Sequence, residues 1–316
     1  MNWLRLRKPP MKIIKSLILS LLLVNLCACA ENLTEIELKV IDQDGQPVKN
    51  AEVSMSFMLS KGSNKFKGTT DEKGEAIALR VGLFGVIVRI NKEGYYQSKI
   101  RTSSGNQNLT MELRKKKNPT AMYAKKVTLP FPKKKEAIGF DFERADWVSP
   151  YGKGNTAHIF FYLDGEYTDV FNYSDELRIS FSKPEDGLIK LTKNSTASEY
   201  HFPYLAPQKV YQNAITLKSF RSDSEKLTNY DQFALGYVFR VNTKLNSEGE
   251  IISANYGKIA GELLGSAYVD TAKGNNEGFV QFTYYYNPTP NDRSLEFDWR
   301  QNLFRDLEHE EKVKAP

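Results

Sequence analysis

Apolar and polar residues alternate with a period of two over short stretches in the N-terminal third of the chain. Every second residue is apolar from Ile36 to Val40 and again from Ala51 to Phe57. Turn sequences rich in Asp and Gly, such as Asp71–Gly74, separate these stretches. The pattern predicts seven short strands in a β-sandwich domain over residues 29–113. The other five stretches are Lys65–Thr70, Ala76–Val81, Val86–Asn91, Tyr95–Arg101 and Gln107–Leu113.

A second set of strand patterns occupies residues 136–305. The longest alternating run is Gln232–Leu245, and Glu176–Ser182 and Gly187–Thr192 flank a turn that predicts a hairpin. We expect an all-β protein whose second domain is a larger antiparallel β-sandwich of jelly-roll type, followed by a charged tail over 306–316. The remaining predicted elements are strands over Ala157–Leu163, Ile215–Phe220, Ile251–Tyr256, Lys258–Leu264, Phe279–Asn287 and Ser294–Asp298, and a short helix over Gln301–Lys314.

Several short sequences of the first domain have a defined place in a sandwich. Gly45 and Gly74 allow turns with φ > 0, and Pro47 fixes φ at the entry to the next strand. The full set is Val40–Asp42, Gly45–Val48, Ala51–Val53, Thr70–Asp71, Gly74–Ala76 and Gly94–Tyr95. In these features the domain resembles the carboxypeptidase regulatory-like domain, a transthyretin-like sandwich of the Ig-like group. The resemblance implies a non-catalytic module; the second domain resembles no named family.

The first 28 residues have the pattern of an export signal, in which basic residues precede an apolar run from Leu17 to Leu26. A membrane-spanning helix needs about 20 apolar residues, so this shorter run fits the core of a signal peptide, with Met1 or Met11 as its start. The sequence Leu26-Cys27-Ala28-Cys29 resembles the lipobox of bacterial lipoproteins. That family has a Leu three residues before the modified Cys and a small residue just before it.

The lipobox resemblance implies cleavage between Ala28 and Cys29 and a lipid on Cys29, which ties the protein to a membrane. Two or three acyl chains hold a protein stably, whereas one chain holds it marginally. Ala30 stands where the family's inner-membrane retention signal has Asp, which favours the outer membrane if the source has two membranes. We therefore expect a lipid-anchored protein of the cell envelope. A plain secretory signal, cut near Ala28 or Ala30 to leave a soluble protein, is the alternative.

Cysteine content and charge narrow the chemistry of the exported part. Cys27 and Cys29 are the only cysteines, so no thiol remains for a disulfide, a Cys-ligated metal or a Cys nucleophile. Five of the 44 basic residues precede Cys29 and leave with the signal, so 39 basic residues face 38 acidic ones. The sequence pI of about 9.0 therefore reflects the targeting segment and does not favour a nucleic-acid partner.

A basic connector over residues 114–135 separates the two domains. It contains nine basic residues and no acidic one. Three interpretations compete. It can be a solvated, extended linker. It can lie along the second domain, with Tyr123–Leu129 as an edge strand protected by lysines. It can also contact anionic lipid headgroups through Lys133–Lys135.

No catalytic motif stands out in the second domain. The chain has three histidines, and the pattern around His158 predicts a packed or hydrogen-bonded side chain within a strand. No metal-ligand cluster or cofactor motif is present, so we expect neither a metal nor a cofactor. A pair of carboxylates can act as acid and base in a glycosidase from any sequence spacing. The candidates are Glu143, Asp146, Asp164 and Glu166.

Aromatic residues indicate a ligand surface in the second domain. Trp147, Tyr151 and Tyr285 are its candidates, because successive strand residues face opposite sides and the run Tyr284–Tyr286 cannot bury all its rings on one side. The alternative is that both sides of that sheet are covered, so that no ring is exposed. The sequence thus favours a non-catalytic binding or structural module, with a glycan or an envelope protein as partner. A polysaccharide-directed hydrolase that uses carboxylates of the second domain is the alternative function.

Overall fold

The computed structural model of the protein describes residues 33–193, 196–228, 234–270 and 277–316. Strands dominate these residues, and the described part of the chain has no α-helix. The chain divides into two compact units. The first runs to Lys115 and also includes Ala197–Glu199, and the second comprises the rest. The predicted all-β class is confirmed.

The first unit is a sandwich of two sheets. One sheet has the order β4-β1-β7, and the other has the order β3-β2-β5-β6. All pairs are antiparallel except β1 and β7, which run parallel. The seven strands are β1 Leu33–Ile41, β2 Glu52–Met58, β3 Ser63–Thr69, β4 Glu75–Val81, β5 Val86–Asn91, β6 Ser98–Thr102 and β7 Gln107–Glu112.

Alternation along the strands fills the core of the first unit. Ile36, Leu38 and Val40 of β1 are buried, as are Met55 and Phe57 of β2. Their polar neighbours in sequence lie outside the core. The burial of these side chains supplies the main stabilisation of a unit that has no disulfide in its described residues.

Two Asp–Gly turns of the first unit have the same construction. The Asp42 carboxylate accepts the N–H of Asp44 and of Gln46, both at 2.9 Å. Asp71 accepts two N–H groups in the same way. At Gly74, where φ is +75°, an added Cβ would lie 2.4 Å from the carbonyl oxygen of Val40, so only glycine fits there. The carboxylates are thus used to close turns.

The second unit is a larger sandwich. Its six-stranded sheet has the order β10-β9-β11-β12-β14-β15, and its five-stranded sheet has the order β13-β16-β17-β18-β8. All strand pairs are antiparallel. The strands are β8 Tyr123–Pro130, β9 Ala137–Asp141, β10 Asp146–Trp147, β11 Ile159–Asp169, β12 Asn172–Ser180, β13 Gly187–Thr192, β14 Ala214–Arg221, β15 Lys226–Thr228, β16 Ala234–Leu245, β17 Ile251–Ser266 and β18 Phe279–Asn287.

An aromatic core fills the space between these two sheets. Phe140 lies at its centre and meets Phe161, Phe282 and Tyr284 edge to face, with ring centroids 5.4–6.2 Å apart. Phe142 stacks on Phe239 at 4.6 Å. Rings in these geometries attract each other beyond the burial of their area. Tyr284 donates its hydroxyl to the carbonyl of Phe142 at 2.6 Å, so its polar atom is satisfied inside the core.

Three local expectations are wrong. The predicted hairpin of Glu176–Ser182 and Gly187–Thr192 does not form, because β12 pairs with β11 and β14 whereas β13 pairs with β16 in the other sheet. The segment after Gln301 forms no α-helix but contains a 3₁₀ turn at His309–Glu311. Ser294–Asp298 makes isolated bridges and is not a strand.

The connector contributes a strand to the second unit. β8 pairs with β18 and forms an edge of the five-stranded sheet. Lys125 pairs with Glu311, Lys133 with Glu136 and Lys135 with Asp164, with N–O distances of 2.8, 2.9 and 3.7 Å. The structure therefore favours the interpretation of an edge strand that is protected by lysines.

Candidate functional site

Two of the three predicted surface rings lie inside the second unit, which corrects that prediction. Trp147 is only 3% exposed and donates its Nε1–H to the carbonyl of Pro130 at 3.0 Å. Phe131 and Phe140 pack edge-on against it. Tyr285 is 2% exposed. Neither ring is available to a ligand.

The three tyrosines of Tyr284–Tyr286 alternate between the two sides of the sheet as predicted, but Tyr285 is not exposed. Tyr284 and Tyr286 point into the aromatic core, and Tyr285 points to the other side of the sheet. There it packs with Phe297 and Val313, and its hydroxyl donates to the carbonyl of Ala315 at 3.3 Å. Segments distant in sequence therefore cover the outward side of the five-stranded sheet, as the alternative interpretation held.

Tyr151 is the one of the three that remains accessible, at 37% exposure. Its hydroxyl donates to Oε1 of Glu136 at 2.7 Å, and Lys133 Nζ lies 2.9 Å from the other carboxylate oxygen. The hydrogen bond with Lys133 lowers the pKa of Glu136 and raises the pKa of Lys133. The carboxylate is therefore ionised and held between a phenol and an ammonium group.

The outward side of the six-stranded sheet, here called the open face, is accessible. Leu163, Leu177 and Leu217 occupy one cross-strand row and point into the core, so the neighbouring positions of these strands point out. These outward residues are exposed or half-buried. The open face consists of Tyr162, Asp164 and Glu166 of β11, Ser174, Glu176 and Arg178 of β12, and Thr216, Lys218 and Phe220 of β14.

A network of charges crosses the centre of the open face. Glu176 accepts from Arg178 Nε at 2.5 Å, and its other oxygen lies 2.8 Å from Lys218 Nζ. Hydrogen bonds from Lys218 and then from Arg178 lower the pKa of Glu176. The Arg178 guanidinium lies 4.9 Å from the centroid of the Tyr162 ring. A ring, a guanidinium and a carboxylate are thus fixed side by side.

A shallow groove adjoins this network. Asp164 lies beside Lys135, with an N–O distance of 3.7 Å, and Phe220 supplies an apolar wall. The groove can offer several hydrogen-bond donors and acceptors to a polyhydroxylated ligand. Its polar lining residues are Lys135, Asp164, Glu166, Ser174, Asp175, Glu176, Lys218 and Ser219.

The one buried carboxylate near the groove points away from it. Asp175 follows Ser174 on β12 but faces the inside of the sandwich, where it accepts the N–H of Ala267 at 2.6 Å. Burial raises the pKa of Asp175, whereas the pKa of its neighbour Glu176 is lowered. The two carboxyl groups lie on opposite sides of the sheet, so one substrate cannot lie between them.

Two of the four carboxylates proposed for catalysis, Asp146 and Asp164, have structural contacts. Asp146 accepts the N–H of Trp147 at 2.8 Å and of Lys153 at 2.9 Å. Asp164 accepts the N–H of Gly165 at 2.7 Å. Within the described ranges no group of three His, Cys, Asp or Glu residues can hold a metal ion.

A buried Asp–His contact was missed by the sequence reasoning. Asp141 accepts four backbone N–H groups, from Glu143, Arg144, Asn155 and Thr156, at 2.8–3.2 Å. Its Oδ1 lies 3.6 Å from Nδ1 of His158. These contacts organise the loop between β9 and β11. The N–H donors to Asp141 come from two separate stretches of the sequence, so only the folded chain brings them together.

His158 is packed and hydrogen-bonded, as its sequence context predicts. Its Nδ1 accepts the N–H of Phe142 at 3.2 Å, and its ring lies 5.0 Å from that of Tyr286. Burial lowers the pKa of His158, against the opposing effect of Asp141. An Nδ1 that accepts a hydrogen bond belongs to a neutral imidazole, so this histidine supports the fold.

The outward side of the five-stranded sheet, here called the covered face, contains a fully buried lysine. Lys258 of β17 donates from Nζ to the carbonyl of Leu295 at 2.6 Å. The rings of Tyr200, Phe202 and Tyr285 surround the ammonium group, with centroids 4.4–5.0 Å away. Cation–π attraction of this kind is strongest where water is excluded.

Burial lowers the pKa of Lys258 to about 7, and the carboxylate of Glu296 opposes that shift. Arg240 is the second buried cation of the covered face. It donates to the carbonyls of Glu185 and Gln208 and lies 4.5 Å from the centroid of the Tyr211 ring. The two cations thus attach covering segments to the sheet through main-chain carbonyls.

Trp299 is a further exposed aromatic residue, away from the open face, that the sequence reasoning missed. It is 47% exposed, in the 3₁₀ turn Trp299–Gln301, and Arg300 lies 4.9 Å from its ring centroid. Phe304 and Arg305 line a shallow groove beside it. No pattern signalled its exposure, because the residues around it form no regular strand.

The lipidation site, Cys29 with the cleavage position after Ala28, lies outside the described residues. In the described ranges, no helix has the length and apolar character needed to span a bilayer.

No protein-family model and no curated protein matches the chain. Among solved structures, a DUF3823 family protein from Parabacteroides merdae is 9% identical with a TM-score of 0.23, and the match covers 84% of this chain and 98% of that one. A candidate carbohydrate binding protein from Bacteroides uniformis is 12% identical with a TM-score of 0.21, covering 82% and 98%.

A 3-chlorocatechol 1,2-dioxygenase from Rhodococcus opacus is 12% identical with a TM-score of 0.25. That match covers 27% of this chain and 60% of the dioxygenase. The identities and TM-scores of all three matches are too low to assign a function to this chain.

Proposed function

We propose that this protein is a lipid-anchored envelope protein whose second unit binds a glycan on the open face without cleaving it. The observation that carries the proposal is the side-by-side arrangement of Tyr162, Arg178 and Glu176 next to a polar groove. Sugars present apolar C–H faces and many hydroxyls. A site that combines rings with fixed donors and acceptors suits both.

The geometry favours binding over hydrolysis. Retaining and inverting glycosidases place two carboxyl groups about 5–10 Å apart across the scissile bond, one of them with a raised pKa. On the open face, Glu176 is ionised and bonded to two cations. The carboxyl group with a raised pKa, Asp175, faces the opposite side of the sheet.

The lipid anchor is supported by the sequence Leu26-Cys27-Ala28-Cys29 after a basic and apolar segment. Its test is metabolic labelling with palmitate. We expect the wild-type protein to incorporate the label and the Cys29→Ala variant to incorporate none. Equal labelling of both proteins, or none of the wild type, refutes the anchor.

A glycan array tests the ligand class. We expect the chain over residues 30–316 to bind a defined set of glycans and Tyr162→Ala to lose that binding. Trp299→Ala is the matched control, because it removes an exposed ring that also lies beside an arginine. If Trp299→Ala loses binding and Tyr162→Ala keeps it, the site lies on the Trp299 groove. An array without any bound glycan contradicts the proposal.

A further inference from the structure

One end of the first unit exposes a group of apolar side chains. β1 begins there at Leu33, which pairs with Val81 at the end of β4. The following loop carries Leu83 and Phe84, and Phe84 is 59% exposed. We call Leu33, Val81, Leu83 and Phe84 the apolar tip. Isolated exposed apolar residues are normal, but a contiguous group at one end indicates a binding surface.

Backbone hydrogen bonds hold the loop of the apolar tip. The N–H groups of Leu83 and Phe84 donate to the carbonyl of Met58 at 2.8 and 3.2 Å, and Met58 N–H donates to the carbonyl of Gly85 at 2.9 Å. At Gly85, where φ is +102°, an added Cβ would lie 2.4 Å from the carbonyl oxygen of Thr102. The loop is fixed by these contacts, so Leu83 and Phe84 are presented outward.

Basic residues surround the apolar tip. Lys61, Arg80 and Arg101 are exposed on the loops and strand ends at this end of the unit, and Arg101 donates to the carbonyl of Phe84 at 3.4 Å. Glu35 is the acidic residue of β1 nearest to them in the strand register, opposite Leu79. Apolar side chains within a basic rim match the boundary between acyl chains and anionic headgroups.

The position of the tether selects a bilayer as the partner. Leu33 follows Cys29 by four residues, a distance of about 14 Å at full extension. The chain continues to the second unit from the opposite end, because β7 runs parallel to β1 and ends near Lys115. A lipid on Cys29 therefore brings the apolar tip to the bilayer and leaves the exit of the chain on the far side of the first unit.

We infer that the apolar tip inserts into the adjacent leaflet of a phospholipid membrane, with Phe84 and Leu83 among the acyl chains and the basic residues at the headgroups. The inference rests on the proposed lipid anchor for its orientation. Ile77 and Leu79 extend the apolar surface along β4. A second copy of the chain pairing on that strand is the other outcome that the test must detect.

The experiment uses the absence of other thiols. With Cys29 lipidated, Leu83→Cys provides the free thiol for an environment-sensitive fluorophore, and Glu93→Cys places the same label at the opposite end of the first unit. The lipidated full chain is reconstituted in vesicles of phosphatidylethanolamine and phosphatidylglycerol with brominated acyl chains. We expect quenching at position 83 to exceed quenching at position 93 by at least threefold. Equal quenching at the two positions overturns the inference.

A second arm separates the tip from the anchor. The same labels in the chain over residues 30–316, which lacks both Cys27 and Cys29, are mixed with an excess of these vesicles, and position 83 is again expected to be the more quenched. Adding Phe84→Asp should abolish that difference, whereas Ile252→Asp, at an exposed apolar residue elsewhere, should keep it. Preferential quenching at position 83 in this chain supports the tip independently of the anchor, and a wild-type protein that takes up no palmitate separately refutes the anchor. Unquenched labels with a protein-concentration-dependent spectral shift at position 83 indicate a second copy and overturn the inference.

Discussion

The covered face and the open face of the second unit share one sequence pattern and have different environments. Both carry tyrosines and basic residues at the outward positions of antiparallel strands. On the covered face, segments from elsewhere in the chain bury Tyr285 and Lys258. On the open face, Tyr162 and Arg178 stay at the surface. What crosses over a sheet therefore decides whether its outward side is a second core or a binding surface.

The buried cations show how a polar outward side can be covered. A buried ammonium group needs compensation for the water it loses. Lys258 obtains it from the carbonyl of Leu295 and from three rings, and the carbonyl belongs to one of the covering segments. The same contact thus satisfies the charge and attaches the cover. Among the described residues no such segment crosses Arg178, whose partner Glu176 lies on the same strand.

The largest expected difference between the two faces is in stability. Tyr285→Ala should lower the free energy of unfolding by about 3–5 kcal/mol, because it leaves a cavity under Phe297 and Val313. Tyr162→Ala should lower it by about 1 kcal/mol or less, because that ring is half exposed. Urea unfolding followed by circular dichroism measures both. Similar losses for the two variants would mean that the faces do not differ in burial as described.

A pH titration of stability should identify the buried lysine. The pKa of Lys258 is about 7 in the folded protein and near 10.5 when unfolded. Between these values the unfolded state binds the extra proton, so stability should rise by about 2 kcal/mol from pH 7 to pH 9 through this group. Lys258→Met should flatten that rise. An unchanged slope in Lys258→Met argues against a buried, deprotonating amine.

Acid should act on the Asp141–His158 contact, with a smaller effect. The folded-state pKa of His158 is lowered by burial, so its contribution to stability is present above the unfolded value near 6.5 and is lost as pH falls through the folded value. His158→Gln is expected to reduce the loss of stability between pH 7 and pH 5. Thermal unfolding at a series of pH values tests this, and a wild-type slope in the variant contradicts it.

The smallest effect is expected for the ion pairs of the open face. Glu176→Gln should change stability by about 0.5 kcal/mol or less, and by less still in 1 M salt, because its partners are exposed. Denaturant titrations at low and high salt give the comparison. A loss of several kcal/mol would place this network in the core and break the distinction between the faces.

Local patterns predicted the strands well and the burial of their outward sides poorly. Alternation gave the seven strands of the first unit and identified β16 and β18, because period-two burial is a local property. The predicted hairpin of Glu176–Ser182 and Gly187–Thr192 is wrong, because a turn sequence does not reveal whether the chain stays in one sheet or crosses to the other. The predicted exposure of Trp147 and Tyr285 is wrong for different reasons. Trp147 packs in the core between the two sheets, whereas Tyr285 is buried on the outward side by segments far away in sequence.

The candidate site could be predicted only in part. Asp164 and Glu166 were named as carboxylates of interest, and both line the groove of the open face. Tyr162, Arg178 and Glu176 were not singled out, because their neighbourhood arises from the register of β11 with β12. Asp141 was missed for a similar reason, since its four N–H partners come from both ends of the loop that it organises.

Calorimetric titration of a glycan selected on the array tests directly whether the open face is the ligand surface. We expect Tyr162→Ala to raise the Kd about tenfold or more, corresponding to about 1.4 kcal/mol of binding free energy, and Trp299→Ala to leave the Kd within about twofold of the wild-type value. Unchanged affinity in Tyr162→Ala, with unfolding curves showing both variants folded, would contradict it.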